Sequence, residues 1–280
     1  MDEDDRVPQA LDELGQHQAE AAAPLRPQVI HEVVREEGEV ELRRAAEALA
    51  LSGFAAGLSM GFSFLTLALL RAGLPDTPWR RLIDSFGYSL GFVIVILGRQ
   101  QLFTESTLTA VLPVLTSRTL RSLLSTLRLW GIVLASNLVG TFVFAALITP
   151  EGVFPREVRT ALLEVGRESL SGSFGPVLLK AVFAGWLIAL MVWLLPNARQ
   201  ARLWVIILLT YVVSMGGFSH IIAGSTEASF AVFAGGASVS DYVWGFLIPT
   251  LVGNTIGGVS LVALLNHAPV AQELRDAGGR

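Results

Sequence analysis

Apolar residues are grouped along the chain into six long runs, separated by short polar or charged segments. A transmembrane helix needs about 20 mainly apolar residues, so runs of this order predict membrane-spanning helices. The pattern predicts an all-α integral membrane protein with six transmembrane helices. The six runs are Ala48–Leu70, a second that begins near Phe86 and resumes at Leu108, Leu127–Ile148, Val177–Leu195, a fifth that begins at Leu203 and resumes at Ala228, and Tyr242–Leu265.

The second and fifth runs are interrupted by polar residues. RQQLFTEST, residues 99–107, breaks the second, and GGFSHIIAGSTEAS, residues 216–229, breaks the fifth. Interrupted helices in corresponding places are typical of transporters built from inverted repeats. With three spans per repeat, the second copy has the opposite orientation and the two breaks meet near the membrane midplane. The pattern therefore predicts a pathway between them, because broken backbone at this depth is tolerated where it lines a cavity.

Three short sequence motifs in the first half of the chain recur, as echoes, in the second half and support a three-plus-three duplication. They occur in the same order in both halves, at separations that fall from 129 to 122 to 117 residues. Ordered agreement at nearly constant spacing indicates an internal repeat. The echoes are FAAG at Phe54 with FAG at Phe183, TES at Thr104 with TEA at Thr226, and NLVG at Asn137 with NTIG at Asn254. Glycines four residues apart, as in GFAAGLSMGF and GNTIGG, predict close helix packing.

Composition agrees with a membrane protein and argues against disulfide, thiolate, metal and nucleic-acid sites. Of the 280 residues, 52% are hydrophobic and 16% are charged, with a formal net charge of −4, whereas soluble domains have about 25% charged residues. The absence of cysteine excludes disulfides and thiolate chemistry. The four histidines are scattered, and no dense basic run indicates nucleic-acid binding. We expect no metal site, no cofactor and no nucleic-acid partner.

The charged ends of the chain divide it into three parts. Residues 1–47 are expected to form a solvated acidic tail or helix without a specific role, and they contain no apolar segment typical of a signal peptide. Residues 48–266 form the predicted channel domain, and residues 267–280 a C-terminal tail. The arginine distribution favours both termini in the cytoplasm of a cell (plasma or inner) membrane, although the two faces differ little.

His220 is the first candidate for chemistry, because it follows an apolar run and is expected near the bilayer centre. An ionisable side chain there is costly and indicates a functional site. The alternative is a histidine that hydrogen-bonds a neighbouring carbonyl and locks the loop.

Three more ionisable residues lie at the breaks. Glu105 and Glu227 each follow a threonine and are expected at the start of a resumed half-helix, where a carboxylate can cap the N-terminus. They could instead line vestibules or pair with Arg99. Arg99 itself could snorkel to an interface, pair with a carboxylate or attract anions.

Uncharged residues around the breaks could form the pore wall. Thr104 carries a hydroxyl that can satisfy broken backbone or touch a solute. Tyr88, Phe92, Leu102 and Val213 could close a narrow pore by excluding water, or could be plain packing.

Four segments resemble the formate/nitrite transporter family, and the resemblance extends from about Leu49 to Leu265. They are LGRQQLFTEST, GGFSHIIAG, SNLVGTFVF and FLIPTLVGNTIGGVSLV. The resemblance implies an aquaporin-like six-helix protomer that assembles as a homopentamer with one pore in each protomer. It also implies passage of small monovalent anions of weak acids, such as formate or nitrite.

The resemblance assigns roles to individual residues. His220 matches the family's central histidine, Thr104 the threonine of the broken second helix, and Arg202 a basic residue that draws anions to the cytoplasmic vestibule. Leu102, Phe92, Tyr88 and Val213 fall at or near hydrophobic constrictions, with Tyr88 and Val213 where typical members have phenylalanines. Asn254 belongs to the last-helix motif. The chain departs from the family at Ala189 and Gly224, where typical members have asparagines.

The mechanism suggested by these residues is passage of a weak acid in its neutral form, with His220 supplying or ordering the proton. Histidine suits such a step because its ordinary pKa is near 6.5. The alternative in transport is a channel for a neutral solute or another ion, with Arg99, Glu105 and Glu227 as its filter. An intramembrane enzyme using Ser219 or Ser225 is not expected, because no nucleophile motif is present. A purely structural assembly would not need two breaks.

Overall fold

The computed structural model describes residues 23–264, and every regular element in this range is helical. The predicted C-terminal tail and the first 22 residues lie outside the described range. The helices are α1 (Pro27–Arg43), α2 (Ala46–Gly73), α3 (Arg80–Leu97), α4 (Phe103–Thr109), α5 (Val111–Ser117), α6 (Leu120–Ile148), α7 (Arg156–Ser169), α8 (Phe174–Ala198), α9 (Arg202–Met215), α10 (Ile221–Phe233) and α11 (Ile248–Ile256). A 3₁₀ turn, Arg199–Ala201, joins α8 to α9, and π-helical turns Asp241–Leu247 and Gly257–Leu264 flank α11.

Four helical stretches are long and apolar enough to cross a membrane: Ala46–Gly73, Leu120–Ile148, Phe174–Met215 and Asp241–Ser260. Large apolar side chains such as Leu51, Leu147 and Leu208 are exposed on their outer faces. A helix that is apolar on its outer as well as its inner face needs apolar surroundings. The prediction of an all-α membrane protein is confirmed.

Both interruptions are present, and both are shorter than the sequence predicts. α3 ends at Leu97 and α4 begins at Phe103, while α9 ends at Met215 and α10 begins at Ile221. The first half-helix therefore includes the polar residues 104–107, which were expected in the break. Two of its hydroxyl groups are satisfied by carbonyls one turn earlier, because Ser106 Oγ donates to the Leu102 carbonyl and Thr107 Oγ1 to the Thr104 carbonyl.

Each half-helix packs largely against helices from the other half of the sequence. α4 contacts α8 and the last π-helical turn, and α10 contacts α2, α6 and α7. One hydrophobic core contains residues from both halves of the sequence. For example, the ring centroids of Phe64 and Phe230 are 5.5 Å apart. This cross-packing brings both breaks to the centre of the molecule.

The predicted packing glycines lie where helix backbones cross. A Cβ added at Gly57 would be 2.1 Å from the Asn137 carbonyl oxygen, and one at Gly257 would be 2.2 Å from the Val182 oxygen. Gly185, on α8, is equally close to the last helix, with a Cβ position 2.3 Å from the Asn254 oxygen. α2 therefore packs closely on α6, and α8 on α11.

Substitution of Gly185 by alanine should destabilise the protein. The new methyl group must push α8 away from α11, and overpacking of this kind costs about 1–3 kcal/mol. Gly131→Ala is the matched control, because nothing lies within 4 Å of a Cβ at that helical position. Thermal unfolding in detergent should show a lower midpoint for Gly185→Ala and no decrease for Gly131→Ala. Equal midpoints for Gly185→Ala and the wild type would contradict the close contact.

Candidate functional site

Asn137 secures the start of α4. Its Oδ1 accepts a hydrogen bond of 2.9 Å from the Phe103 amide, and its Nδ2 donates to the carbonyls of Gln101 at 2.9 Å and Gly53 at 2.7 Å. One side chain thus satisfies backbone groups on both sides of the break and ties them to α2.

Asn254 makes the same three kinds of bond at the start of α10. Its Oδ1 accepts from the Ile221 amide at 2.8 Å, and its Nδ2 donates to Ser219 at 2.9 Å and Ala181 at 2.8 Å. The sequence motif pointed to Asn254 but not to Asn137 as a site residue. The NLVG and NTIG echo was the signal that could have identified both.

The bonds of the two asparagines define which residues correspond between the breaks. Leu102 immediately precedes α4 and His220 immediately precedes α10, 118 residues later. In this register Glu105, the third residue of α4, corresponds to Ala223, while Glu227 is the seventh residue of α10. Only Glu105 lies at a half-helix start, so the expected N-terminal position of Glu227 differs from the structure.

His220 joins the two breaks through a hydrogen bond to Thr104. The Nε2 and Oγ1 atoms are 2.8 Å apart, and both residues are buried. The other ring nitrogen, Nδ1, accepts from the Ala223 amide at 3.2 Å and caps α10. An accepting Nδ1 carries no proton, so the network assigns the proton to Nε2, which donates to Thr104. The Thr104 hydroxyl hydrogen is then left to donate elsewhere.

Apolar side chains surround this pair. The Phe92 and His220 rings pack edge to face, with 5.0 Å between their centroids, and the centroids of the Tyr88 and Phe92 rings are 5.4 Å apart. Leu102 and Val213 are fully buried in the same cluster. Phe92, Tyr88 and Val213 are therefore brought together beside His220, and Leu102 belongs to the same hydrophobic core.

A cavity of about 190 Å³, here called the His220 cavity, lies on one side of this cluster. Its lining includes His220, Tyr88, Val213 and Glu227. Further charged groups line the same cavity, namely Arg71, Arg81, Asp84, Glu168 and Lys180.

Arg71 is held by two carboxylates. Its Nε donates to Asp84 and its Nη1 to Glu168, both at 2.8 Å. The charge of Arg71 is therefore compensated in this cavity.

A second cavity of about 650 Å³, the Arg99 cavity, contains most of the remaining predicted residues. Arg99, Glu105 and Arg202 line it, together with Gln101. Glu105 and Glu227 therefore belong to different cavities. Arg99 pairs with Glu37 of α1 at 3.1 Å instead of with either of them. Its backbone has a left-handed φ of 50°, which turns the chain sharply after α3.

The polar side chains that the family resemblance leads us to expect beside His220 are replaced by apolar packing. A Cβ at Gly224 would lie 2.4 Å from Cζ of Phe246, which fills the space. Ala189 is fully buried in a cluster with Trp193. In the part of the chain that is described, no three His, Asp or Glu side chains come together as metal ligands would.

Helix α1 packs against the first break, which the sequence analysis did not anticipate. Glu41 accepts hydrogen bonds from Thr109 Oγ1 at 2.7 Å and Gln101 Nε2 at 3.1 Å. A Cβ on Gly38 would be 1.9 Å from the Thr109 oxygen, so the two backbones touch. Residues 27–43 are thus a docked helix and not a freely solvated tail. The spacing of the buried residues His31, Val34 and Gly38 was the available signal.

Docking of α1 should depend on pH through Glu41, which lies outside the membrane-crossing helices. Burial raises the pKa of this carboxyl above its ordinary value, and its hydrogen bonds to Thr109 and Gln101 act in the opposite direction. The docked helix therefore binds the proton more tightly than the undocked helix. Docking should be strongest below about pH 4.3, the ordinary pKa of glutamate. It should weaken as the pH rises through the raised value.

Hydrogen exchange of α1 amides, corrected for the intrinsic rate at each pH, measures this effect. Protection should fall with rising pH in the wild type and stay constant in Glu41→Gln, which keeps the hydrogen-bonding shape without the charge. Glu36→Gln, an exposed position of the same helix, should retain the wild-type dependence. If protection of α1 in Glu41→Gln still fell with rising pH, Glu41 would not be the group responsible.

Replacement of Asn254 by alanine should loosen the second break. The Ile221 amide and two carbonyls would lose their partner in a region without water, and each buried unsatisfied group costs about 1–3 kcal/mol. The control is Asn197→Ala, whose Oδ1 accepts an exposed bond from the Leu25 amide. The midpoint temperature of thermal unfolding should decrease strongly for Asn254→Ala and not for Asn197→Ala. Similar small decreases for both variants would argue against the anchoring role.

Comparison with known proteins places this geometry in a family. The formate/nitrite transporter model matches residues 28–268. The chain is 42% identical over 253 residues to the inner membrane protein YfdC of Escherichia coli K12, which covers 90% of this chain and 82% of that protein. It is 25% identical over 252 residues to the formate channel BtFdhC of Bacillus thuringiensis, covering 87% and 95% of the two chains.

Two solved structures share the fold. An FNT family ion channel matches with a TM-score of 0.73 and 20% identity, covering 84% of this chain and 96% of that chain. A pentameric formate channel with formate bound matches with a TM-score of 0.65 and 23% identity, covering 79% and 95%. These proteins are channels or transporters, and with its apolar helices the chain is a multi-pass membrane protein. The chain therefore belongs to the formate/nitrite transporter family.

Proposed function

We propose that the protein is a membrane channel or transporter for small monovalent weak-acid anions, which cross the narrowest point as neutral acids. The observation that carries the proposal is the buried His220–Thr104 hydrogen bond, packed against the Phe92 ring. The His220 cavity reaches this pair on the His220 side, and the Arg99 cavity is lined by Glu105, the residue after Thr104. A polar pair in an apolar enclosure suits a solute that has lost its charge but still forms hydrogen bonds.

The physical reason is the cost of moving charge through an apolar constriction. Transfer of a small ion into a medium of low dielectric constant has an idealised cost of order 20 kcal/mol. Protonation of a formate-like or nitrite-like anion removes most of this cost. The Thr104 hydroxyl, oriented by His220, can then donate a hydrogen bond to the passing acid.

The proposed protomer has six spans in an aquaporin-like, inverted three-plus-three arrangement comprising residues 48–266, with both termini in the cytoplasm. The equivalent bonds of Asn137 and Asn254 support the repeat, because each secures the half-helix of its own half. Assembly as a homopentamer in a cell (plasma or inner) membrane is supported by the similarity to a pentameric channel. Residues 27–43 then form a helix that covers part of the Arg99 cavity.

Arg202 and the half-helix N-termini are proposed to attract the anion. Arg202 lines the Arg99 cavity, and its Nε donates to the Leu195 carbonyl at 3.3 Å. The N-termini of α4 and α10 meet near His220 and carry the positive ends of their dipoles. Together they favour negative charge up to the constriction.

The alternative function is a channel for a neutral solute or another ion, with Arg99, Glu105 and Glu227 as the filter. It is favoured by the presence of one of the two glutamates in each cavity. Carboxylates at both entrances would repel anions if they were charged. The two functions differ in which solutes enter liposomes.

Purified protein in liposomes should take up formate or nitrite, and uptake should increase as the pH falls. His220→Ala should reduce uptake about tenfold or more, because Thr104 loses its orienting donor and α10 its cap. His220→Asn restores a capping acceptor but not the ring, and Asn197→Ala, at an exposed position, is the control. Acetate and lactate test the size limit.

Unchanged rate and pH dependence in both His220 variants would remove the proposed role of this residue. Water or glycerol flux without anion uptake in the wild type would favour the alternative channel.

A further inference from the structure

Glu227 is a carboxyl that lines the His220 cavity without a bonding partner among the described residues. Its side chain is 8% exposed, and that exposed part faces the cavity. It forms no hydrogen bond or ion pair with any residue that the structure describes. A buried carboxylate without a partner is expensive, so such a group holds a proton or meets a ligand.

The nearby cation does not compensate Glu227. Arg71 lines the same cavity, but its guanidinium is already bonded to Asp84 and Glu168. Helix α6, which packs against α10, has no ionisable residue between positions 129 and 148. The remaining titratable or charged groups around Glu227 are Arg81, Tyr88, Lys180 and His220 of the cavity and Tyr242 of the last helix, whose hydroxyl donates to Ser225.

His220 cannot release or accept a proton without breaking its local structure. Nε2 donates to Thr104, and Nδ1 accepts the Ala223 amide that caps α10. Protonation of Nδ1 would remove the cap, and loss of the Nε2 proton would leave Thr104 without its donor. His220 is therefore suited to orient a hydroxyl, and another group must exchange the proton.

The His220 cavity is large enough for a small solute to lie next to a group that exchanges protons with it. Its volume of about 190 Å³ exceeds the roughly 10–15 Å³ that one water molecule requires. Tyr88 lines the same space, and its hydroxyl has no partner among the described residues. A small anion in this cavity can accept a hydrogen bond from Tyr88 while an oxygen faces Glu227.

We propose that Glu227, and not His220, exchanges the proton with the transported weak acid. The Glu227 carboxyl O–H bond breaks, and its proton forms an O–H bond on the anion, which continues past Phe92 as the neutral acid. The Glu227 carboxylate then takes a proton from a hydronium ion in the solvent at the cavity mouth, and a water molecule is released. The same steps run in reverse for transport in the other direction. This inference rests on the proposed function, because it requires a weak-acid substrate.

The test measures formate uptake into liposomes between about pH 5 and about pH 8, with empty liposomes subtracted. Glu227→Gln keeps the shape of the side chain but cannot donate the acid proton, so uptake should fall tenfold or more and lose its steep dependence on pH. Glu227→Asp should recover part of both. Glu164→Gln, an exposed carboxyl on the neighbouring helix α7, should behave as the wild type.

A wild-type rate and pH profile in Glu227→Gln would overturn the proposal. Absence of formate uptake in the wild type would instead refute the proposed function, so the two failures are distinguishable. If Glu227→Gln does not fold, infrared spectroscopy of the wild type with ¹³C-labelled formate provides the test. Formate should remove a protonated-carboxyl band, and an unchanged band would overturn the proposal.

Discussion

The structure depends on one constraint: backbone that leaves a helix inside a membrane must find its hydrogen-bond partners in the protein. The chain meets this constraint twice, with one asparagine at each break. Asn137 and Asn254 each accept from the first amide of a half-helix and donate to two carbonyls. These bonds decide where α4 and α10 begin, and therefore which residue lies at the position just before each half-helix.

The two breaks share this framework but differ in chemistry. The residue before α4 is Leu102 and the residue before α10 is His220, so one break contributes an apolar wall and the other an imidazole. Thr104 reaches across to His220, and Phe92 covers the imidazole. The charged groups lie farther out, and some are paired, as in Arg71 with Asp84 and Arg99 with Glu37. Of the carboxyl groups that line the His220 cavity, Glu227 is the one without a partner among the described residues, whereas Asp84 and Glu168 share Arg71.

Sequence periodicity predicted the membrane class and the place of both breaks, because long apolar runs and clustered polar residues are local properties of the chain. It misjudged the extent of the breaks. Ser106 and Thr107 appear unsuited to a membrane helix, yet their hydroxyls bond to carbonyls three or four residues earlier. It also missed the docking of α1, because a helix with many charges resembles a solvated one until the contacts of Glu41 are known.

The sequence by itself determined the all-helical membrane class, the family, and the presence of a histidine, a threonine and two glutamates at or close to the breaks. Residue order and hydrophobicity are sufficient for these conclusions. Only the tertiary structure decided which of these residues meet. His220 contacts Thr104 from 116 positions away, and Glu105 and Glu227 lie in separate cavities although their local sequences look alike. Such relations depend on how distant helices pack, and packing is a property of the whole chain.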